Sequence, residues 1–479
     1  MAERAEKYQA NLVVIGAGSG GLVSAYIAAA VKAKVILIEK SRMGGDCLNT
    51  GCVPSKALIR ASKACFQAKE AAQFGISIDR VTVDFKQVMA RVHQVIDEVR
   101  PHDSVERYTG LGVECIEGEA KILTPHLVEV NSQKITTRNI IVATGARPAV
   151  PDIPGLASIE YLTSDNLWQL QELPKKLLVV GGGPIGCELA QAFSRLGSQV
   201  TIVDMADKLL PRSDSDISTY VRRQFESESI CLELGAQLVS FEGTVATIER
   251  EGKETAIEFD RVLIAVGRQA NTSGFGLQEL GVTLNPNGTI KVDKHMRTNI
   301  PSIFACGDVA GPYQFTHTAS HQAWYASVNA LLSGIKAFSV DYRVIPWVVF
   351  TDPEVAHVGQ SETELSKKHI AYDTVTYDLS DLDRAIADGE QRGLVKVLLK
   401  KGKDKILGVT IVGSHSGEII AEFVAAMRNK KGINSILGTV HSYPTWSEAN
   451  KYAAGAWKRL NAPLGLLKWV GKFHNFRRR

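Results

Sequence analysis

The stretch "GGDCLNTGCVPSK", residues 44–56, puts Cys47 and Cys52 five positions apart behind a pair of glycines. Cysteines so spaced make a structural staple, half of a metal site, or a redox couple. A staple is disfavoured. The chain has seven cysteines, an odd number, in 479 residues, and its opening "MAERAEKYQANLVVIG" carries acids and no apolar run before the first strand. That is neither a signal nor a transit peptide, and it argues for a reducing, cytoplasmic setting. A zinc site needs two more ligands at compatible spacing. Cys65, Cys115, Cys187, Cys231 and Cys306 are scattered singly with no histidine pair beside them, so each reads as a small buried hydrophobe. No structural metal site is expected.

The elements that must position these cysteines announce themselves by repetition. "NLVVIGAGSGGLVSAYIAAA" reads as an apolar strand, a glycine turn and an alanine-rich helix, with Gly16, Gly18 and Gly21 in the pattern G-x-G-x-x-G. The next strand, "KVILIEK", ends at Glu39, 18 residues past Gly21. A lone glycine pattern is weak, but a strand before it, a helix after it and an acid at the end of the second strand make a dinucleotide site. The pattern recurs in "KLLVVGGGPIGCELAQAFSRLG", with Gly181, Gly183 and Gly186, and "QVTIVD" ends at Asp204, again 18 residues on. Each half has a later strand closing on a glycine, "NIIVATGARP" at Thr144-Gly145 and "RVLIAVGRQANT" at Gly267. Two tandem Rossmann-like folds are expected, and with them two dinucleotides.

"SIFACGDVAG" is a further apolar strand, ending at Gly307-Asp308, whose carboxylate suits a flavin ribityl hydroxyl. It comes after the second dinucleotide fold, so the first domain is split and the second inserted in it. From about residue 343 the texture changes to the strand-like runs "VIPWVVFTDPEVAHVG", "GLVKVLLK" and "ILGVTIVG" and the helix-like "SGEIIAEFVAAMRNK". The expected class is α/β with a C-terminal α+β domain. The expected boundaries are 1–152 and 271–342 for the FAD-binding domain, 153–270 for the NAD(P)-binding domain, 343–460 for the third domain and 461–479 for a tail.

Composition bounds the partners. Hydrophobic residues make up 45% and charged residues 22%, an ordinary globular balance. No run approaches the ~20 apolar residues that span a bilayer. The net charge is +4, but eight positives and no acid come after Glu448, which leaves −4 for residues 1–448. The body therefore offers no case for nucleic acid.

Taken in order, "GGDCLNTGCVPSK", "ATG" (143–145), "GRQANT" (267–272), "CGD" (306–308), "FTDPEVAHVG" (350–359) and "YPTWSE" (443–448) carry a resemblance. From about residue 10 to 460 the chain resembles the flavoprotein pyridine nucleotide–disulfide oxidoreductases: glutathione reductase, dihydrolipoyl dehydrogenase and mercuric reductase. The resemblance implies that Cys47 and Cys52 are a redox-active disulfide, Cys52 against the flavin and Cys47 exchanging with the acceptor. It implies that Lys56 lies near the flavin N5 and pairs with Glu188 of "GCELAQ". It also implies FAD, a nicotinamide nucleotide and a homodimer, with 343–460 as the interface or dimerisation domain and the Tyr443 segment completing the other subunit's site. The local physics agrees. Pro54 suits a first helical turn, so Cys52 falls at a helix N-terminus, where the dipole stabilises a thiolate. Asp204 favours NADH, because a carboxylate repels a 2′-phosphate. NADPH is the alternative, with Lys208 and Arg212 close behind to relieve the repulsion.

One position departs from the family. Members acting on dithiols or disulfides carry His-Pro-Thr followed by a glutamate, and the histidine moves protons for the exchanging thiol. Here Pro444, Thr445 and Glu448 are present but the histidine position is Tyr443. An imidazole near pKa ~6.5 suits that work at neutral pH, whereas a phenol near ~10 stays protonated. His441 is a substitute two positions upstream, or else an ordinary surface histidine. Tyrosine here is similar to the mercuric reductases, whose acceptor needs thiolate ligands more than a proton shuttle. The expected acceptor is therefore a soft metal ion such as Hg(II), with Cys47 and Cys52 as transient ligands, or a disulfide. Dihydrolipoyl dehydrogenase is the alternative enzyme, and a docked flavoprotein binding or sensing module the alternative of another class. Against a full mercuric reductase match, no N-terminal metal-binding domain with its own CxxC is seen, and the tail lacks an adjacent cysteine pair. That tail, "WKRLNAPLGLLKWVGKFHNFRRR", interleaves basic with apolar residues. A peripheral contact with the inner membrane surface is one expectation for it, and packing on the dimer is the other.

Overall fold

The computed structural model describes residues 7–332 and 335–479. They form two compact units, Met1–Ala206 with Ser229–Asp341, and Asp207–Glu228 with Tyr342–Arg479.

The first unit is built on two parallel sheets. In one, Val113–Glu117, Val35–Glu39, Ala10–Ile15, Gln133–Val142 and Ile303–Ala305 lie side by side and parallel, and Leu127–Val130 and Lys121–Thr124 extend it antiparallel. In the other the order is Cys231–Leu234, Gln199–Asp204, Lys176–Val180, Arg261–Ile264, Tyr161–Leu162, all parallel. Strands such as "LVVI" and "VILI" read as unbroken apolar runs because parallel sheets are covered on both faces. Leu12, Val13 and Val14 are wholly buried. The strand Ile303–Ala305 is far away in sequence yet pairs with Ile140–Val142, so the peptide carrying Asp308 ends in the same sheet as the first glycine turn.

Each glycine turn is dictated by close backbone approach. A Cβ on Gly21 would stand 1.7 Å from the carbonyl oxygen of Gly16, and one on Gly186 would stand 1.9 Å from that of Gly181. Only glycine lets the helices Ser19–Ala30 and Pro184–Leu196 press so tightly on the preceding strand ends.

The second unit is a five-stranded antiparallel sheet in the order Pro346–Val349, Glu354–Gly359, Ile406–Gly413, Leu394–Lys400, Tyr372–Asp378. The helices Ser416–Arg428 and Glu448–Leu460 supply Phe423, Ala449, Ala453 and Trp457 to its core. Lys396 lies inside the buried strand Leu394–Lys400, and its ammonium reaches Glu362 at 2.5 Å, Asp216 at 2.8 Å and Asp214 at 3.5 Å. That ion cluster ties Asp214 and the helix Ser215–Ser227 into this unit, although in sequence they continue the second nucleotide module. The last helix, Leu464–Arg477, has no buried residue.

Candidate active site

Cys47 sits in the short helix Gly45–Asn49, and Cys52 is the first residue of the long helix Cys52–Lys69. Both are thiols here. The Sγ of Cys52 lies 3.3 Å from Oγ1 of Thr316, the first residue of the helix Thr316–Leu331. Cys52 therefore meets the first turns of two helices, where backbone N–H groups and the dipole favour negative charge. The electrostatics split the pair. A hydrogen bond from the Cys47 thiol, the Thr316 hydroxyl and the Lys56 charge outweigh burial and pull Cys52 down to about 6. The same hydrogen bond, with burial, pushes Cys47 far up. The reduced pair thus holds its proton on Cys47 and its negative charge on Cys52.

Lys56 stands one turn along the same helix, its Nζ 2.8 Å from Oε2 of the buried Glu188. Burying Glu188 beside a half-exposed lysine fixes where that ammonium points.

The two acids at the ends of the second strands do the same job in each module. Glu39 accepts from the N–H of Ala17 at 2.6 Å and of Ser41 at 2.8 Å. Asp204 accepts from the N–H of Gly182 at 2.5 Å and of Ala206 at 2.7 Å. Helices Ser19–Ala30 and Pro184–Leu196 have glycine N-caps, no side-chain cap and no acid in the first turn. Their first N–H groups are left to a phosphate, the arrangement a dinucleotide requires. The residues therefore fit one dinucleotide in each module. Gly45 has φ +56, and a Cβ on it would come within 2.7 Å of Cα of Gly18. The cysteine loop and the first glycine turn are thus in backbone contact.

Two groups absent from the sequence reading join this site. Arg268, next to Gly267, lies between Asp46 and Asp308, its Nε 3.4 Å from the Asp308 carboxylate and its Nη2 hydrogen-bonded to Asp46 and to the Ala146 carbonyl. Burial raises Asp308 and the Arg268 charge opposes it. Thr316 is the other. Thr144 and Asn271 exchange two hydrogen bonds, Thr144 Oγ1 donating to the Asn271 carbonyl and Asn271 Nδ2 to the Thr144 carbonyl.

Tyr443 and Glu448 lie in the second unit. Tyr443 is 68% exposed, and its hydroxyl donates to Asp383 at 2.9 Å, a bond that holds the phenol above its ordinary value. Glu448 is buried and accepts from the Thr445 N–H at 3.3 Å. His441 is engaged on both sides. Its Nε2 is 3.1 Å from both carboxylate oxygens of Glu422, and its Nδ1 is 3.0 Å from the Thr439 carbonyl. Both nitrogens are therefore taken up by groups of this same unit.

The model of the pyridine nucleotide-disulphide oxidoreductases matches residues 10–323, and that of their dimerisation domain matches residues 345–454. The chain belongs to this family. Among its relatives, the dihydrolipoyl dehydrogenase of Chlamydia muridarum is 35% identical over 95% of this chain and 97% of its own. A mercuric reductase of Bacillus cereus is 33% identical over 93% of this chain and 71% of its own. Among solved structures, the Cu(II) complex of the HOCl-induced flavoprotein disulfide reductase RclA from Escherichia coli superposes with a TM-score of 0.83. It is 27% identical, over 94% of this chain and 99% of that one. This oxidoreductase is accordingly a flavoprotein of the FAD-dependent, pyridine nucleotide-using kind, and its dimerisation domain makes the homodimer its assembly.

Proposed function

We propose that this oxidoreductase draws electrons from NADH and delivers them through the Cys47–Cys52 pair to a thiophilic metal ion or a disulfide. The flavin belongs to residues 1–152 with 271–342 and the nicotinamide to 153–270. When bound, FAD accepts a hydride equivalent from the nicotinamide and supplies two electrons to the disulfide. The chain's own residues do the rest. Opening the Cys47–Cys52 bond takes two electrons and one proton. The proton stays on Cys47, and the charge stays on Cys52, held by the Thr316 hydroxyl, two helix N-termini and Lys56. Glu188 keeps Lys56 in place. Reoxidation re-forms the Cys47–Cys52 bond, passes the electron pair to the acceptor and releases the Cys47 proton.

The observation that carries the choice of acceptor is the proton chemistry of the segment 441–448. Tyr443 is a phenol bonded to a carboxylate, and both nitrogens of His441 are taken up by the Glu422 carboxylate and the Thr439 carbonyl. Oxidising a dithiol substrate requires a base for its thiol protons, and neither side chain is poised as one. A metal ion such as Hg(II) or Cu(II) carries no such proton, and the two sulfurs serve as its transient ligands. The Bacillus cereus mercuric reductase and the Cu(II)-bound RclA support that reading. The names of the dihydrolipoyl dehydrogenase relatives favour the second reading, in which dihydrolipoamide reduces NAD⁺. NADH is preferred over NADPH because the Asp204 carboxylate opposes a 2′-phosphate. Lys208, which would relieve that opposition, donates instead to the Ser213 carbonyl at 2.6 Å. Free thiols working as electron carriers belong to a reducing compartment, hence the cytoplasm.

The experiment runs NADH oxidation with Hg(II) in excess thiol, and with Cu(II) in the absence of thiol, beside dihydrolipoamide-dependent NAD⁺ reduction, each repeated with NADPH or NADP⁺. The expected result is metal-dependent turnover that vanishes in Cys47→Ser and in Cys52→Ser, with NADPH slower than NADH. Lipoamide turnover as fast as NADH oxidation sinks the metal reading and establishes the second one.

A further inference from the structure

The match to the dimerisation domain ends at residue 454, yet the chain beyond it is ordered into a further helix. Pro463 closes a short break after the helix Glu448–Leu460, and the backbone turns helical again over Leu464–Arg477 with every side chain at least partly exposed. Leu466 is 56% exposed, Trp469 63% and Phe476 77%. Large apolar side chains gathered this way on one helix call for an explanation.

The helical period supplies part of it. At about 100° per residue, Leu466, Leu467, Trp469, Val470, Phe473 and Phe476 share one half of the helix. Lys468, Lys472 and Asn475 share the other with the first residue, Leu464. His474 and Arg477 enter the apolar half only in the last turn. There the Arg477 guanidinium lies over the Phe473 ring, its carbon 5.8 Å from the centroid, a cation–π contact that leaves the charge at the edge of the apolar face. Trp469 and Phe473 stack with centroids 6.1 Å apart.

Charge selects the occupant. Eight basic residues and no acid come after Glu448, in a protein whose remainder is net negative. A second copy of the same helix would bring like charges together, which opposes association. An anionic bilayer offers both things the helix lacks, negative charge at its surface and an apolar layer just beneath it. At about 1.5 Å per residue the helix is ~21 Å long. A bilayer core is ~30 Å thick, and no described helix is long and apolar enough to cross it.

We propose that Leu464–Arg477 docks this enzyme onto anionic lipid surfaces, lying in the plane of the interface with its Trp469–Phe473 face down. The proposal is independent of the electron acceptor. Full-length enzyme is sedimented with vesicles of equal parts phosphatidylcholine and phosphatidylglycerol, and with pure phosphatidylcholine vesicles, at low and high salt. Two variants accompany it, one lacking 461–479 and one carrying Lys468→Glu with Lys472→Glu. The expected result is binding to the anionic vesicles that weakens about tenfold on the neutral ones, in high salt and in the charge-reversed variant. Binding is lost on deletion while NADH oxidation is kept. Equal sedimentation with and without the tail overturns the proposal, as does equal binding to neutral vesicles. So does a tail whose removal halves the mass of the protein in solution with no vesicle binding to lose, since that makes the helix an interface between copies.

Discussion

At the scale of single residues the chemistry turns on where one proton rests. Cys52 lies low because Cys47 donates to it, with Thr316 and Lys56 behind. A thiol with a depressed value is charged above that value and protonated below it. In the reduced enzyme, alkylation of Cys52 should therefore fall off as pH drops through about 6. Replacing Thr316 by Val removes one hydrogen bond to the thiolate and should move that midpoint up by about one pH unit, while Thr316→Ser should restore it. Initial iodoacetamide rates against pH, read at the Cys52 peptide, check this, and identical midpoints in all three proteins would remove Thr316 from the site. Tyr443 is the other decisive residue. Tyr443→His should raise dihydrolipoamide-dependent NAD⁺ reduction by about 10² or more, the usual worth of a positioned base, and steady-state assay of the purified variant shows whether it does. The cysteines and Lys56 were legible because thirteen consecutive residues carry them, and Glu188 because the family resemblance points to it. Thr316 and Arg268 were not. They reach Cys52 and Asp46 across 264 and 222 residues, and such contacts leave no periodicity in the chain.

Whole elements obey the glycine geometry, and there the two modules can be separated. Gly186→Ala drives a methyl into the Gly181 carbonyl, so it should cost about a hundredfold in NADH oxidation while the protein stays yellow. Gly21→Ala makes the same collision at Gly16 and should lose the flavin on gel filtration instead. Absorbance of the bound flavin beside the NADH rate distinguishes the two, and a colourless Gly186→Ala protein would contradict the assignment of the modules. The parallel strands were readable because burial on both faces makes them continuous apolar runs. The membership of Ser215–Ser227 was not readable. Its helix comes after a nucleotide strand in sequence, but Asp214 and Asp216 are held by Lys396, some 180 residues on, and a buried ion cluster has no local signature.

For the molecule as a whole, the dimerisation domain sets the first expectation. Light scattering at micromolar protein should return twice the chain mass of 52.0 kDa, and a monomer would contradict the assembly that the dimerisation domain implies. The architecture also repeats itself. At Ala17 and Gly182 the same backbone donor, one residue past the first glycine, meets the same kind of acid, and at Ser41 and Ala206 the bond to the residue two further on is repeated. One local solution thus serves twice, down to individual amide hydrogens, with a single methylene separating the two acids, glutamate in one and aspartate in the other. Exchanging those two side chains would ask how much of the discrimination between a resident and a visiting cofactor was written by that one carbon.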